Sequence, residues 1–239
     1  MTLGQAVGAQ ITGISSMATR NVLGELVDAY QRQSGQRVAI ESVGGVDAVR
    51  RVEAGEAFDF VVLPAESIER LSAAGRIVPG SRIDLARSGV AIAVASGAQR
   101  PHVADEAAVR QAVLAARSIG YSTGPSGAHL SRLFERWRIA EAIAPRLVQA
   151  PPGVPVAALV ARGEVELGFQ QLSELMHVSG IDVIGCLPSE VQVVTVFSAA
   201  VCAESTQPEV VKALLSFFAS PAADATKRRH GMEPARADA

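Results

Sequence analysis

The chain has 239 residues, with 22 Lys and Arg against 24 Asp and Glu, and is 49% hydrophobic but only 4% aromatic. Phosphate contacts need a basic stripe, and a net charge of −2 without one argues against nucleic acid as a partner. The longest uncharged apolar-rich run, residues 191–203 between Glu190 and Glu204, is 13 residues long, short of the ~20 that a membrane-spanning helix requires.

Residues 9–14 read as a strand, and Ser15, Ser16 and Thr19 behind them are helix-capping types. Val22, Leu23, Leu26, Val27 and Tyr30 then recur at helical spacing, with Gly35 placed to stop the helix. Residues 37–43 form a second strand, Gly44-Gly45 a turn, and Val46, Val49 and Val52 a short helix ending at Gly55. The near-continuous apolar run 58–63 has the pattern of a strand covered on both faces. Pro64 closes it, and a helix through Ile68 and Leu71 ends at Gly75. Repeated strand–helix units of this kind predict a parallel sheet with right-handed crossovers.

The same pattern continues with a strand at 89–95, a helix at 106–116 and a strand at 118–122. The loop 123–127 opens a helix carrying Leu130, Leu133, Phe134 and Trp137. A strand at 147–150, a helix at 156–162 and strands at 166–169 and 181–184 follow. Residues 192–203 read as one strand of about 12 residues where ~5–6 is usual, a length that suits passage from one lobe into another. Helices at 208–219 and 221–230 complete the pattern, and the tail beyond Gly231 is expected to fray. With no fixed-period repeat and no low-complexity linker, a two-lobed chain must cross between lobes in its own strands. The crossings are expected at 83–90 and near Thr195. The long strand favours a hinged molecule with a cleft over two separate doubly wound domains.

In open parallel sheets, ligands bind beyond the C-terminal strand ends, where helix N-termini point. Ser15-Ser16, Gly44-Gly45, the loop 122–127 and residues 153–156 are such places, and their N–H and O–H groups suit an oxyanion. For each of them alone, ordinary capping, worth ~1 kcal/mol, is the better reading. Gln170 and Gln171 end a buried strand, where a polar pair must be hydrogen-bonded, and alternation sends the two to opposite sides. Glu174 suits the first turn of the short helix after them.

His129, in the first turn of a helix beside the 122–127 loop, is the candidate base, with a solvated surface histidine as the plainer alternative. His177 is a weaker candidate near the Gln pair, and His102 and His230 are expected to face solvent. The histidines show no metal-ligand spacing. Phosphate-loop, dinucleotide, nucleophile-elbow and zinc-protease motifs are also missing from the sequence, so neither a metal nor a cofactor is expected. Cys186 and Cys202 are expected to be small buried hydrophobes, with one bridge between them as the alternative in an oxidising compartment. No Lys or Arg precedes Arg20 to form the basic start of a secretory signal. The expected location is the periplasm if an export signal is removed upstream of Met1, and the cytoplasm otherwise.

Four stretches carry a family resemblance: RVEAGEAFDFVVL at 51–63, GSRIDLA at 80–86, VAALVARGEVELGF at 156–169 and TVFSA at 195–199. Together they resemble molybdate-type periplasmic solute-binding proteins, in order and over nearly the whole chain. The resemblance implies an α/β, two-lobed type 2 periplasmic-binding-protein-like fold, with two doubly wound sheets joined by a two-segment hinge. Lobe 1 is then 1–86 and 196–239, and lobe 2 is 87–195. It also implies a monomer whose cleft encloses one small anion, held by hydroxyls, backbone N–H groups and a tyrosine, with an ABC-transporter membrane component as partner.

Carried over residue by residue, the first-strand serine matches Ser15 or Ser16, the second-lobe loop matches Ser126-Gly127, and the helix-start contact matches Val156. Gly44-Gly45 stands where a serine is expected, and Gln170-Gln171 where the tyrosine is expected. Losing two donors of a tetrahedral cage points away from molybdate toward a larger or flatter anion, such as an organic carboxylate. The expected ligand-binding set is Ser15, Ser16, Gly44, Gly45, Ser126, Gly127, Val156, Gln170 and Gln171. The run GFQQLSEL at 168–175 also resembles aconitate isomerases, which use the same fold. That likeness implies an alternative function, the cofactor-free isomerisation of an unsaturated tricarboxylate, with His129 as base and Ser15, Ser16 and Gln171 holding carboxylates. Binding without chemistry is the favoured expectation.

Overall fold

Alternating strand and helix patterns become ten strands and ten α-helices in a computed structural model that describes residues 9–151 and 153–236. The leader expectation at Met1 lies outside the described residues. In chain order the first elements are β1 (Ile11–Ser16), α1 (Arg20–Ser34), β2 (Val38–Val43), α2 (Gly45–Glu53), β3 (Phe60–Pro64), α3 (Ala65–Ala73) and β4 (Ile83–Ala95). Next come α4 (Glu106–Ala115), β5 (Ile119–Tyr121), α5 (Pro125–Arg136), α6 (Ala140–Ile143), β6 (Leu147–Gln149), α7 (Val156–Ala161), β7 (Leu167–Gln171) and α8 (Leu172–Leu175). The last are β8 (Ile181–Cys186), β9 (Val194–Val201), α9 (Pro208–Ala219), α10 (Asp224–Arg229) and β10 (Glu233–Pro234). Residue contacts divide the chain into one unit of Met1–Ala86 with Val196–Ala239 and another of Arg87–Thr195.

In the first unit, β1 lies between β2 and β3 and runs parallel to both, pairing Ile11 with Val38 and Gly13 with Phe60. β9 joins β3 antiparallel, with Phe60 opposite Val201. Strand alternation divides β3 between two cores. Phe60 and Val62 pack with Leu23, Val27, Phe197 and Phe218, under α1 and α9. Val61 and Leu63 pack with Val49, Val52, Ile68 and Leu71, under α2 and α3. Covering both faces is what makes residues 58–63 a near-continuous apolar run, broken only at Asp59. Gly13 makes room for this packing, since a Cβ there would stand 2.3 Å from the Phe60 ring.

The second unit is built the same way: β5 lies between β6 and β7, parallel to both, β4 is antiparallel to β7, and β8 is antiparallel to β4. One face packs Val90, Ile92, Phe134, Trp137 and Phe169, and the other packs Ala91, Ala93, Val156, Val160 and Leu175. The second face carries small residues on its strands, and α7 closes tightly on them. A Cβ at Gly168 would come within 2.5 Å of Val160 Cγ2.

Several expectations are corrected. The long strand is β4, at 13 residues, whereas β9 has only 8. Residues 192 and 193 do not extend β9, because the Gln192 side chain takes the place of a strand neighbour. Its Oε1 accepts from Val90 N at 2.8 Å and its Nε2 donates to Val90 O at 3.0 Å. The tail does not fray at Gly231: Met232 is buried, β10 pairs with β4, and Ala235 N donates to Leu85 O. Both cysteines are free thiols, but only Cys202 is buried, and Cys186 is exposed. His230 is not solvent-facing either, because its Nε2 bonds Glu25 Oε2 at 2.9 Å.

Candidate functional site

Parallel strands bring their C-terminal ends to one edge, and in the first unit that edge collects hydroxyls. Ser15 Oγ, fully buried, shares a hydrogen bond with Ser42 Oγ at 2.8 Å. Ser16 is also buried, yet its Oγ has no hydrogen-bond partner among the described residues. It does not cap the turn that opens at Met17, so the ordinary capping role is not what holds a serine there. An unmet buried hydroxyl costs ~1–3 kcal/mol and is uncommon in folded proteins.

Gly45 opens α2 alongside this group, with its built Cβ position 3.8 Å from Ser16 Cβ. The glycine pair at 44–45 therefore does not strip the edge of a second-strand hydroxyl, because Ser42 supplies one from β2. In this unit the structure brings together Ser15, Ser16, Gly44 and Gly45 from the expected set.

The corresponding edge of the second unit gathers the ends of β5 and β7. Ser122 Oγ and Ser126 Oγ share a hydrogen bond at 3.0 Å, and Gly124 N donates to Ser122 Oγ at 3.3 Å. Gly127 permits this tight loop: a Cβ there would lie 1.7 Å from Ser122 O. Val156 is fully buried at the start of α7. Gln170 Oε1 accepts from Ala157 N at 3.3 Å, and Gln170 Nε2 donates to Glu174 Oε1 at 2.8 Å. Gln170 thus joins the first turn of α7 to a carboxyl on α8. Burial pushes the Glu174 carboxyl up to about 7, and the hydrogen bond from Gln170 pulls it down by less. Ser173, beside it, is buried with its Oγ unpartnered among the described residues.

Gln171 faces the other way, as alternation predicts. Its amide meets Thr195 Oγ1 at 2.7 Å, and with the amide oxygen on that side its NH2 donates to Ser88 O at 3.0 Å and Gly89 O at 3.3 Å. His129 is partly buried, and its Nε2 donates to Val191 O at 2.8 Å, which places the proton on that nitrogen. Its ring is thereby anchored to the chain at 191. His102 and His177 are exposed.

The group that sequence reasoning missed is Glu174. The available signal was an acid directly behind a buried Gln pair, a position read only as helix capping. Among the described residues no three His, Cys, Asp or Glu side chains come together as metal ligands, and no helix is long and apolar enough to cross a membrane.

The family model of bacterial extracellular solute-binding proteins matches residues 11–233. The chain belongs to that family. It is 35% identical over 230 residues to an aconitate isomerase from a Pseudomonas species, covering 94% of this chain and 87% of that protein. In fold it is similar to the periplasmic molybdate-binding protein of Azotobacter vinelandii, with a TM-score of 0.79, 19% identity, and coverage of 93% of this chain and 98% of that one. The sulfate-binding protein of Mycobacterium tuberculosis is also similar, with a TM-score of 0.71, 17% identity, and coverage of 95% and 88%. The α/β fold of periplasmic binding proteins, implied by the stretches at 51–63, 80–86, 156–169 and 195–199, is the fold of this family member.

Proposed function

We propose that the protein is a solute receptor for a small organic anion, whose carboxylate groups are taken by neutral donors at the strand ends. Ser16 carries this reading, since a buried hydroxyl without a partner, at the start of a helix it does not cap, is a donor kept for a ligand. Ser15 and Ser42 are its neighbouring hydroxyls in the first unit, Ser122 and Ser126 are the hydroxyls at the corresponding edge of the second, and Gly44, Gly45 and Gly127 let the backbone approach closely. Val156 at the start of α7 and the Gln170 amide lie at the second unit's edge, while Gln171, on the opposite side of β7, is engaged by Thr195, Ser88 and Gly89. Such donors hold an anion through dipoles and hydrogen bonds, which fits a chain of net charge −2. An organic acid is supported by the aconitate isomerase that is 35% identical over 94% of this chain. In this reading the receptor works outside the cytoplasmic membrane and hands its ligand to an ABC-type membrane component.

Isothermal calorimetry against tricarballylate, citrate, cis- and trans-aconitate, sulfate and molybdate tests the assignment. A carboxylate is expected to bind saturably, and S16A to weaken it about 10-fold or more, the value of one hydrogen bond to a charged acceptor at ~1.5–3 kcal/mol. Binding of molybdate with no carboxylate bound would overturn the organic class.

A second reading, cofactor-free isomerisation of an unsaturated tricarboxylate, is favoured by the relative that is 35% identical over 94% of this chain. Interconversion of cis- and trans-aconitate, followed by proton NMR, separates it from binding alone.

A further inference from the structure

Resting on that second reading, we propose that Glu174 is the proton-transferring group, taking a proton from the saturated carbon of a bound unsaturated polycarboxylate and returning it at the far end of the double bond. Gln170 fixes Oε1 of Glu174 at 2.8 Å, and Oε2 has no hydrogen-bond partner among the described residues. The carboxyl is thus held in place by one oxygen, with the other open to a ligand. It stands at the β7 end, on the edge that also carries the Ser122–Ser126 pair and the unpartnered Ser173 hydroxyl.

The groups around it do not supply a fixed counter-charge. α8 packs on β7 and β8, and β7 carries no titratable side chain. On β8 the titratable groups are Asp182, held by Arg100 at 2.8 Å, and Cys186. α7 carries none, and His177 lies three residues beyond Glu174. Burial therefore sets the ionisation of Glu174, near 7, where a general base is most effective at neutral pH.

The step balances without a co-reactant. The carboxylate removes a proton from a CH2 that lies between a carboxylate and the C=C bond. The C–H electron pair forms a new C=C bond to the central carbon, and the former double-bond pair moves to the far carbon and into its carboxylate. Neutral hydroxyl donors stabilise that charge. The protonated Glu174 then delivers its proton to the far carbon, so the double bond has moved one position and Glu174 is restored. The substrate class is accordingly an α,β-unsaturated di- or tricarboxylate with a CH2 on the other side of the alkene.

The test incubates the protein in D2O with cis-aconitate and with trans-aconitate, followed by proton NMR, while calorimetry with tricarballylate reads binding separately. Wild type is expected to incorporate deuterium at the CH2 and interconvert the isomers, with a rate rising with pH through about 7. E174Q keeps the acceptor for Gln170 but cannot take a proton. It is expected to lose about 100-fold or more of exchange while binding tricarballylate within a few-fold of wild type. Wild type that binds aconitate without exchanging deuterium overturns the proposal, and so does E174Q that exchanges at the wild-type rate. If E174Q does not fold, a wild-type rate that is flat from about pH 6 to 8 overturns it instead. Calorimetry showing that no carboxylate binds brings down the organic-anion reading as well, a result separate from the others.

Discussion

Lys227 is 1% exposed, its Nζ has no hydrogen-bond partner among the described residues, and Asp224 Oδ1 lies 3.8 Å away. Burial pushes its ammonium down to about 8, from 10.5 in the unfolded chain. Between these values the unfolded state binds more protons, so stability rises with pH across the window and is lost as pH falls through about 8. K227M keeps the length of the side chain and removes the charge. In urea denaturation it is expected to gain ~1–2 kcal/mol at pH 7, with the gain vanishing above pH 10.5. An unchanged or lower midpoint at pH 7 would show that the pairing with Asp224 outweighs desolvation. The same scale separates what was legible at the site from what was not. Ser15 and Ser16 were visible because strand ends before helices announce themselves in sequence. Glu174 was not, because its raised carboxyl comes from burial, which only tertiary packing supplies.

Among the elements, the opening of α5 depends on Gly127. A Cβ at this position would meet Ser122 O at 1.7 Å, so G127A forces the loop open and breaks the Ser122–Ser126 bond. The expected result is a loss of ~1–3 kcal/mol in thermal or urea unfolding, together with weaker anion binding in calorimetry. Gly24 in α1 is the contrast: a Cβ there would meet nothing within 4 Å. G24A is expected to stabilise by ~0.5–1 kcal/mol, the helix cost of glycine, with binding unchanged. Strand and helix order was legible from apolar periodicity, as at Val22, Leu23, Leu26, Val27 and Tyr30, which are all buried on α1. The lengths of β4 and β9 were not. Gln192, polar in an apolar run, pairs through its side chain with Val90, and periodicity cannot distinguish that from a backbone ladder.

At the scale of the whole molecule, a ligand held by neutral donors has two signatures. A ligand that binds only the folded state stabilises it by mass action, by ~2.7 kcal/mol at 100 times its Kd, so the melting temperature should climb with carboxylate concentration. Its affinity should also change little as salt is raised, because no exposed ion pair is there to be screened. A steep fall in affinity between low and high salt would reveal a cationic contact and count against a site of neutral donors such as Ser16. The sequence by itself determined the α/β class, the order of the elements and the strand-end hydroxyls, since periodicity and capping chemistry are local. Only the tertiary structure decided which of those hydroxyls has no partner, that Ser42 stands beside Ser15, that Gln171 is engaged by Thr195, and that burial raises the Glu174 carboxyl to about 7. Partners and burial come from segments far apart in the chain, and one sequence does not encode their distance.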